Sequence, residues 1–320
     1  MHPSAVATAI KQAALKVGFD KVGIAHVDSP PDLSGLNQWL AAGHQADMGW
    51  MENPKRWRPT EILPGVRSLV CVALNYYTPH AHSTDPQAGK LSRYAWGRDY
   101  HRVLGKRLKA LSAWMECEYD CRTRFYVDTG PIAEKAWAMQ AGLGWIGKNS
   151  LLLTREFGSW IFLGEILTSL DLPPDRPHSS HCGTCSRCLE ACPTEAIVAD
   201  GVVDSNRCIA YHTLESHAAE LPEAIAQHLD GWVAGCDICQ DVCPWNQRFA
   251  TPTAIADFEP YPQNLAPPLS KLAASTPEDF SRQFPASALR RLKLERLQRN
   301  ARAALRTAGD KSHSNSVDWE

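Results

Sequence analysis

The run HCGTCSRCLEACP places Cys182, Cys185, Cys188 and Cys192 at C-x2-C-x2-C-x3-C-P spacing. Three thiolates at these intervals can wrap one iron–sulfur cube, while the fourth points toward a second. A second cube needs its own ligands, and GCDICQDVCP supplies Cys236, Cys239 and Cys243 before Pro244. The ligand still missing is most economically Cys208. A crossed assignment follows: one [4Fe-4S] cluster takes Cys182, Cys185, Cys188 and Cys243, and the other takes Cys192, Cys208, Cys236 and Cys239. Two zinc sites built from C-x2-C units are the alternative, but the double C-P ending matches the two-cluster run.

Two adjacent cubes pass single electrons and make no bonds themselves, so a reacting site must adjoin them. Asp128 ends the apolar run RFYVD and precedes Thr129, Gly130 and Pro131. It suits two roles equally: a cap near a helix start with Pro in the first turn, or an acid at a strand end donating a proton. RYAWGRDYH (93–101) gathers aromatic and hydrogen-bonding groups, including Tyr94, Tyr100 and His101. It fits either the lining of a pocket for a large flat cofactor or a packed loop.

AGLGWIGKNS (141–150) contains G-x-G-x-x-G and nearly a phosphate loop. Both motifs require a strand before and a helix after, so that phosphate meets the helix N-terminus. Here the order is reversed: IAEKAWAMQA reads as helix and SLLLT as strand. A helix-to-strand turn with Gly142 at the C-cap is the better reading.

These residues need a scaffold, and 320 residues, 44% of them apolar, suffice for about two domains. Helices are expected near 4–17, 101–117 and 131–141, with strands at 22–27, 68–77, 124–128, 150–154 and 160–167. This alternation suggests an α/β layer architecture. The Pro-rich stretch DLPPDRPHSS (171–180) separates it from the cysteine-dense part. Helices resume near Leu269, Pro277 and Ser287. The expected divisions are 1–172, 173–250 as a ferredoxin-like two-cluster domain, 251–306 as a helical segment packing on the first domain, and 307–320 as a disordered tail. Cys71, in an apolar strand, is expected as a buried structural thiol, and Cys117 and Cys121 are not expected as ligands.

No apolar run approaches the ~20 residues needed to span a bilayer, and the first twenty residues lack the pattern of a secretory signal. Eleven cysteines without an export signal point to thiols kept reduced. The expected location is the cytoplasm. Net charge is −2, so no global basic field draws in polyanions. The exception is residues 282–311, with nine Lys or Arg against Glu295 and Asp310. Arg296, Arg299, Arg302 and Arg306 recur at helical steps, as either a phosphate-binding face or a solvated charged one.

VDTGPIAEKAWAMQAGLGWIGKNSLLL, GSWIFLGEIL and the two cysteine runs ending in GCDICQDVCPWN together resemble the epoxyqueuosine reductase family. RYAWGRDYH and RRLKLERLQRN fit the same pattern, and the likeness extends to about residue 306. The resemblance implies a cobalamin-dependent iron–sulfur enzyme of queuosine-tRNA synthesis, its cobalamin-binding α/β domain related in fold to the reductive dehalogenases. It implies reductive removal of an epoxide oxygen, with a corrinoid cobalt as nucleophile and Asp128 as proton donor. A partly desolvated Asp128 with a raised pKa is then expected. Lys148, Asn149 and Ser150 fall where the family surrounds the corrinoid, as do Tyr94, Tyr100 and His101, with Arg56 and His212 as further contacts. The implied partners are tRNA with a GUN anticodon and a low-potential donor such as flavodoxin or ferredoxin, acting on a monomer. Many members continue into a helical-repeat domain; this chain is expected to be a short form without it. A corrinoid iron–sulfur reductase acting on a small molecule is the alternative.

Overall fold

A computed structural model describes residues 2–314. Its centre is a four-stranded antiparallel sheet. The strands are β1 (Lys21–His26), β2 (Ser68–Asn75), β3 (Thr123–Tyr126) and β4 (Ile161–Thr168), in the order β1-β2-β4-β3. All eight residues of β2 are buried, because helices cover both faces. Alternate side chains of a strand point to opposite faces. Val70, Val72 and Leu74 therefore meet Ile166 and the helices α1 (Pro3–Val17) and α2 (Tyr100–Tyr119). Leu69, Cys71 and Ala73 meet Trp137 and Ala138 of α3 (Glu134–Gln140) on the other face. Cys71 is fully buried there. The layered mixture of helix and sheet matches the sequence expectation, with the sheet antiparallel throughout.

After α3 the chain turns at Gly142, whose N–H donates to the Met139 carbonyl at 3.0 Å. Its φ of 74° is left-handed, and a Cβ there would lie 2.6 Å from the Arg176 carbonyl. At Gly144 a Cβ would lie 1.9 Å from the Leu153 carbonyl. These glycines let backbone approach backbone. The segment then forms a short hairpin, Trp145–Ile146 against Leu152–Leu153. The loop thus joins two paired strands instead of opening a helix, so the strand–loop–helix order that a nucleotide motif needs does not occur here.

The C-terminal segment differs from expectation in two ways. From Leu269 onward it packs on the cysteine-bearing half, whereas Ile255 and Phe258 pack on the core of the central sheet, as expected. The helices α5 (Leu269–Ala274) and α7 (Leu294–Ser314) bury Leu269, Leu272, Leu297, Ala301 and Ala304 against Ile209 of α4 (Ile209–Leu214), Ile225, Leu229 and β5 (Trp232–Ala234). The same packing takes in Leu91, Ala95 and Trp96 of the first domain. A single helix α6 (Pro277–Gln283), with a Thr276–Asp279 capping box, joins α5 to that packing through Phe280 and Phe284. Secondly, helix α7 continues to Ser314, so residues 307–314 of the expected tail are helical. The remaining six lie outside the described residues.

The arginine row also differs. Arg299 is buried, and its guanidinium donates to the carbonyls of His212, Ser216 and Ala218. Arg296 donates to the carbonyls of Leu214 and Glu215. Both strap the exposed end of α4, whose last carbonyls have no intrahelical partner. Only Arg302 and Arg306 of the four are exposed.

Candidate active site and cluster ligands

The cysteines fall into two neighbouring groups. Burial raises the Cys188 and Cys243 thiols, and the further upward pushes come from Cys243 and Cys182 on Cys188, and from Cys182 and Cys185 on Cys243. Burial likewise raises Cys208, Cys236 and Cys239; Cys192 then acts on Cys208, Cys239 and Cys208 on Cys236, and Cys208 and Cys192 on Cys239. Cys239 also feels Cys188, so the groups adjoin. Among the described residues no three His, Cys, Asp or Glu converge tightly enough for a single metal ion. Thiols gathered in fours but not closed on a point suit the corners of an iron–sulfur cube better than a tetrahedral zinc.

One group borders a cavity and the other does not. Cys192, Cys208, Cys236 and Cys239 line a space of about 840 Å³ with Trp39, Met48, Trp50, Met51 and Ile132 on its apolar wall. Ser92, Asn149, Ser150 and Gln240 add polar groups. A second space of about 570 Å³ is lined by Tyr76, Tyr100, Phe162, Leu289, Arg291 and Arg296. Tyr94, Asp128, Glu134, Leu151, Leu214 and Gln240 line both. A volume of this size, mostly apolar with a few convergent polar groups, is that of a cofactor site, and its contact with one thiol group fits a large redox cofactor.

Asp128 sits where the two spaces meet. The loop leaving β3 puts it at φ 56°, a sparsely populated conformation for a residue with a Cβ. Backbone outliers of this kind gather at functional sites. It does not cap a helix: α3 starts six residues later with no side-chain cap. Its Oδ2 instead receives Arg291 Nη1 at 2.9 Å and lies 3.2 Å from His101 Nε2. His101 Nδ1 lies 2.7 Å from Asp99 Oδ1. Tyr100 packs its ring on His101 at 4.1 Å and on Phe162 at 4.3 Å.

The expected raised pKa of Asp128 is overturned by these partners. Burial pushes the carboxyl up, but His101 and Arg291 outweigh it and hold it near about 2. Burial pulls His101 down, yet Asp128 and Asp99 lift it to about 9. At neutral pH the proton of this pair therefore resides on the imidazole.

Other residues named from the sequence divide. Arg56 lines the larger cavity, stacks 4.7 Å above Trp50 and donates to the Ile132 carbonyl at 3.1 Å. Asn149 lines it and donates to the Cys239 carbonyl at 3.4 Å. Ser150, at φ 61°, accepts from Lys135 Nζ through its carbonyl at 2.6 Å. The ammonium of Lys148 lies 3.2 Å from Asp200, which lines the same cavity. His212 is buried, with Nε2 2.8 Å from the Asn206 carbonyl, inside the α4 packing and among the lining residues of neither cavity.

Sequence reasoning missed Arg291, Glu134 and Glu165. Arg291 belongs to a basic run with no distinguishing mark. Glu165 did carry a signal, as the lone acid in the apolar strand WIFLGEIL.

The fold and these groups define an iron–sulfur oxidoreductase, with a cofactor-sized cavity between a layered α+β domain and a two-cluster domain. Residues 181–246 match the family described as 4Fe-4S double cluster binding domain, and residues 56–129 match Epoxyqueuosine reductase QueG, DUF1730. The epoxyqueuosine reductase of Synechocystis sp. is 65% identical over 271 residues, 84% of this chain and 94% of that protein. That of Gloeobacter violaceus is 52% identical over 310 residues, 95% and 97% of the two chains. A crystal structure of epoxyqueuosine reductase with a tRNA-Tyr epoxyqueuosine-modified stem loop has a TM-score of 0.85 at 31% identity, covering 96% of this chain and 83% of that one. The chain belongs to the epoxyqueuosine reductase family.

Proposed function

We propose that this chain reduces epoxyqueuosine to queuosine at the wobble position of tRNAs with GUN anticodons, the last step of queuosine biosynthesis. Its cofactors in this reading are cobalamin and two [4Fe-4S] clusters. The position of Asp128 carries the reading. Its carboxyl lies on the wall shared by the two cavities, one of which borders Cys192, Cys208, Cys236 and Cys239.

Bound in the larger cavity, cobalamin supplies a reduced cobalt nucleophilic toward an epoxide carbon. The chain's residues position and protonate. Trp39, Trp50, Met48 and Met51 give the larger cavity an apolar wall, and water excluded from it on cofactor binding would strengthen electrostatics inside. The flipped-out base enters the smaller cavity, against Tyr100, Tyr76 and Phe162. Asp128 faces the epoxide oxygen and relays to it the proton that His101 holds, while Asp99 fixes the imidazole from behind.

Cys182, Cys185, Cys188 and Cys243 would hold the cluster farther from the larger cavity, which would accept electrons from the donor. Cys192, Cys208, Cys236 and Cys239, on the wall of that cavity, would hold the one that supplies electrons to the cofactor. A cytoplasmic monomer served by flavodoxin or ferredoxin completes the proposal. Among the described residues no helix is long and apolar enough to cross a membrane. The test is complementation: in a strain lacking its own reductase, expression of this chain should convert tRNA epoxyqueuosine to queuosine. Persistence of epoxyqueuosine despite soluble, cluster-loaded protein refutes the proposal.

A further inference from the structure

Removing an epoxide oxygen as water consumes two electrons and two protons. The His101–Asp128 pair accounts for the proton that meets the oxygen when the ring opens. A second proton must reach the same oxygen, by then a hydroxyl, when its remaining C–O bond breaks.

The structure holds a second acidic pair beside the first. Glu165, in the middle of β4, has 0% exposure, and neither carboxyl oxygen has a hydrogen-bond partner. Its neighbours across the sheet are Cys71 on β2 and Tyr126 on β3, neither of them a cation. An anion here would be buried and unpaired, so the group is held as a neutral acid. Burial raises its carboxyl and Glu134 raises it further. The two side chains face one another short of a formed hydrogen bond.

Glu134 is the exit from this store. It lines both cavities, and its Oε1 accepts from the Asp128 N–H at 2.5 Å. Burial raises its carboxyl, as does the charge on Asp128, while Arg56 opposes them. Other charged groups nearby are engaged elsewhere: Lys135 on the Ser150 carbonyl, and His101 and Arg291 on Asp128.

We propose that Glu134, backed by Glu165 as a sealed proton store, is the second acid of the reaction. The inference rests on the epoxide-reducing reading above. In this step an O–H bond forms between the Glu134 proton and the substrate hydroxyl. The C–O bond then breaks, water leaves, and the alkene forms with the two electrons the low-potential donor has supplied. Glu134 is left as a carboxylate and recovers a proton from Glu165, and the pair is refilled from cavity water through Glu134, the member that lines both cavities.

Two readouts test it. Infrared titration of the substrate-free protein should show a protonated carboxyl band persisting through neutral pH, shifting in D2O and missing in Glu165→Gln. In single-turnover quench with epoxyqueuosine tRNA, Glu134→Gln should open the epoxide within about tenfold of the wild-type rate. It should then form queuosine at least ~10²-fold more slowly, the loss typical of a missing general acid, with an alcohol that keeps the oxygen as the trapped species. Asp128→Asn should instead slow opening itself. Glu134→Gln sits at a cavity wall, so the test does not depend on β4 tolerating a change at Glu165. Absence of the band, or wild-type queuosine formation by Glu134→Gln, overturns the inference alone. A wild-type chain that leaves the epoxide intact overturns the reaction reading and the inference with it.

Discussion

His101 Nε2 lies 3.2 Å from Asp128 Oδ2, and this contact joins the start of α2 to the loop after β3. It transfers the resting proton from the carboxyl to the imidazole. In the proposed reaction the acid is thus a pair, with Asp128 as the face presented to substrate.

Asp128→Asn keeps the shape of the side chain but cannot accept and release the proton. Turnover should fall by roughly 10²–10⁴-fold, the range for loss of a general acid–base group. Binding of epoxyqueuosine tRNA should change little, which gel-shift titration alongside single-turnover rates can separate.

The rate should be flat through neutral pH and fall as pH rises through about 9, where His101 loses its proton. His101→Gln should lower the rate and erase that alkaline limb. For stability the signs are opposite for the two partners. The His101 contribution is complete below about 6.5, its unfolded pKa, and is lost as pH rises through about 9. The Asp128 contribution is complete above about 3.9 and is lost as pH falls through about 2. Thermal melts of Asp128→Asn and wild type should converge toward acid and only narrow above about 9, where Arg291 still pairs with Asp128.

Cys208→Ser and Cys243→Ser should each remove one cluster and leave the other. Iron content should drop by about half in either variant, as four of eight irons depend on each ligand set. Their electron-spin signals after reduction should differ, because the first variant loses the cavity-side cluster. Equal loss of both clusters, or bound zinc in place of iron, would contradict the crossed assignment.

Arg299→Ala should lower thermal stability without touching the salt dependence of tRNA binding. It strands carbonyls of His212, Ser216 and Ala218, at about 1–3 kcal/mol for each buried group left without a partner. Arg302→Ala and Arg306→Ala, on exposed positions, should spare stability. Each that meets a phosphate should reduce the log–log salt slope by about one.

The two-cluster domain was legible because thiol spacing along the chain is short-range information. The same holds for α1, β1, β2, α2, β3 and β4, each marked by its own apolar period. Asp128 was visible as a position, but not its protonation, which depends on His101 and on Arg291, 163 residues away in sequence. The partners of Lys148 and His212 were hidden for a related reason. Residue type does not reveal that Asp200 and the Asn206 carbonyl engage them. Regular helical spacing put Arg299 among surface cations, and only the packing of α7 on α4 turned it inward.

The most direct measurement is turnover by the purified chain, reconstituted with iron, sulfide and cobalamin under anaerobic conditions and given a low-potential reductant. Its substrate is tRNA carrying epoxyqueuosine, and the digested nucleosides are read by mass spectrometry. The account predicts queuosine in cobalamin-dependent amounts from wild type and almost none from Asp128→Asn. Unchanged epoxyqueuosine with fully loaded wild-type protein, or equal turnover by Asp128→Asn, would contradict it.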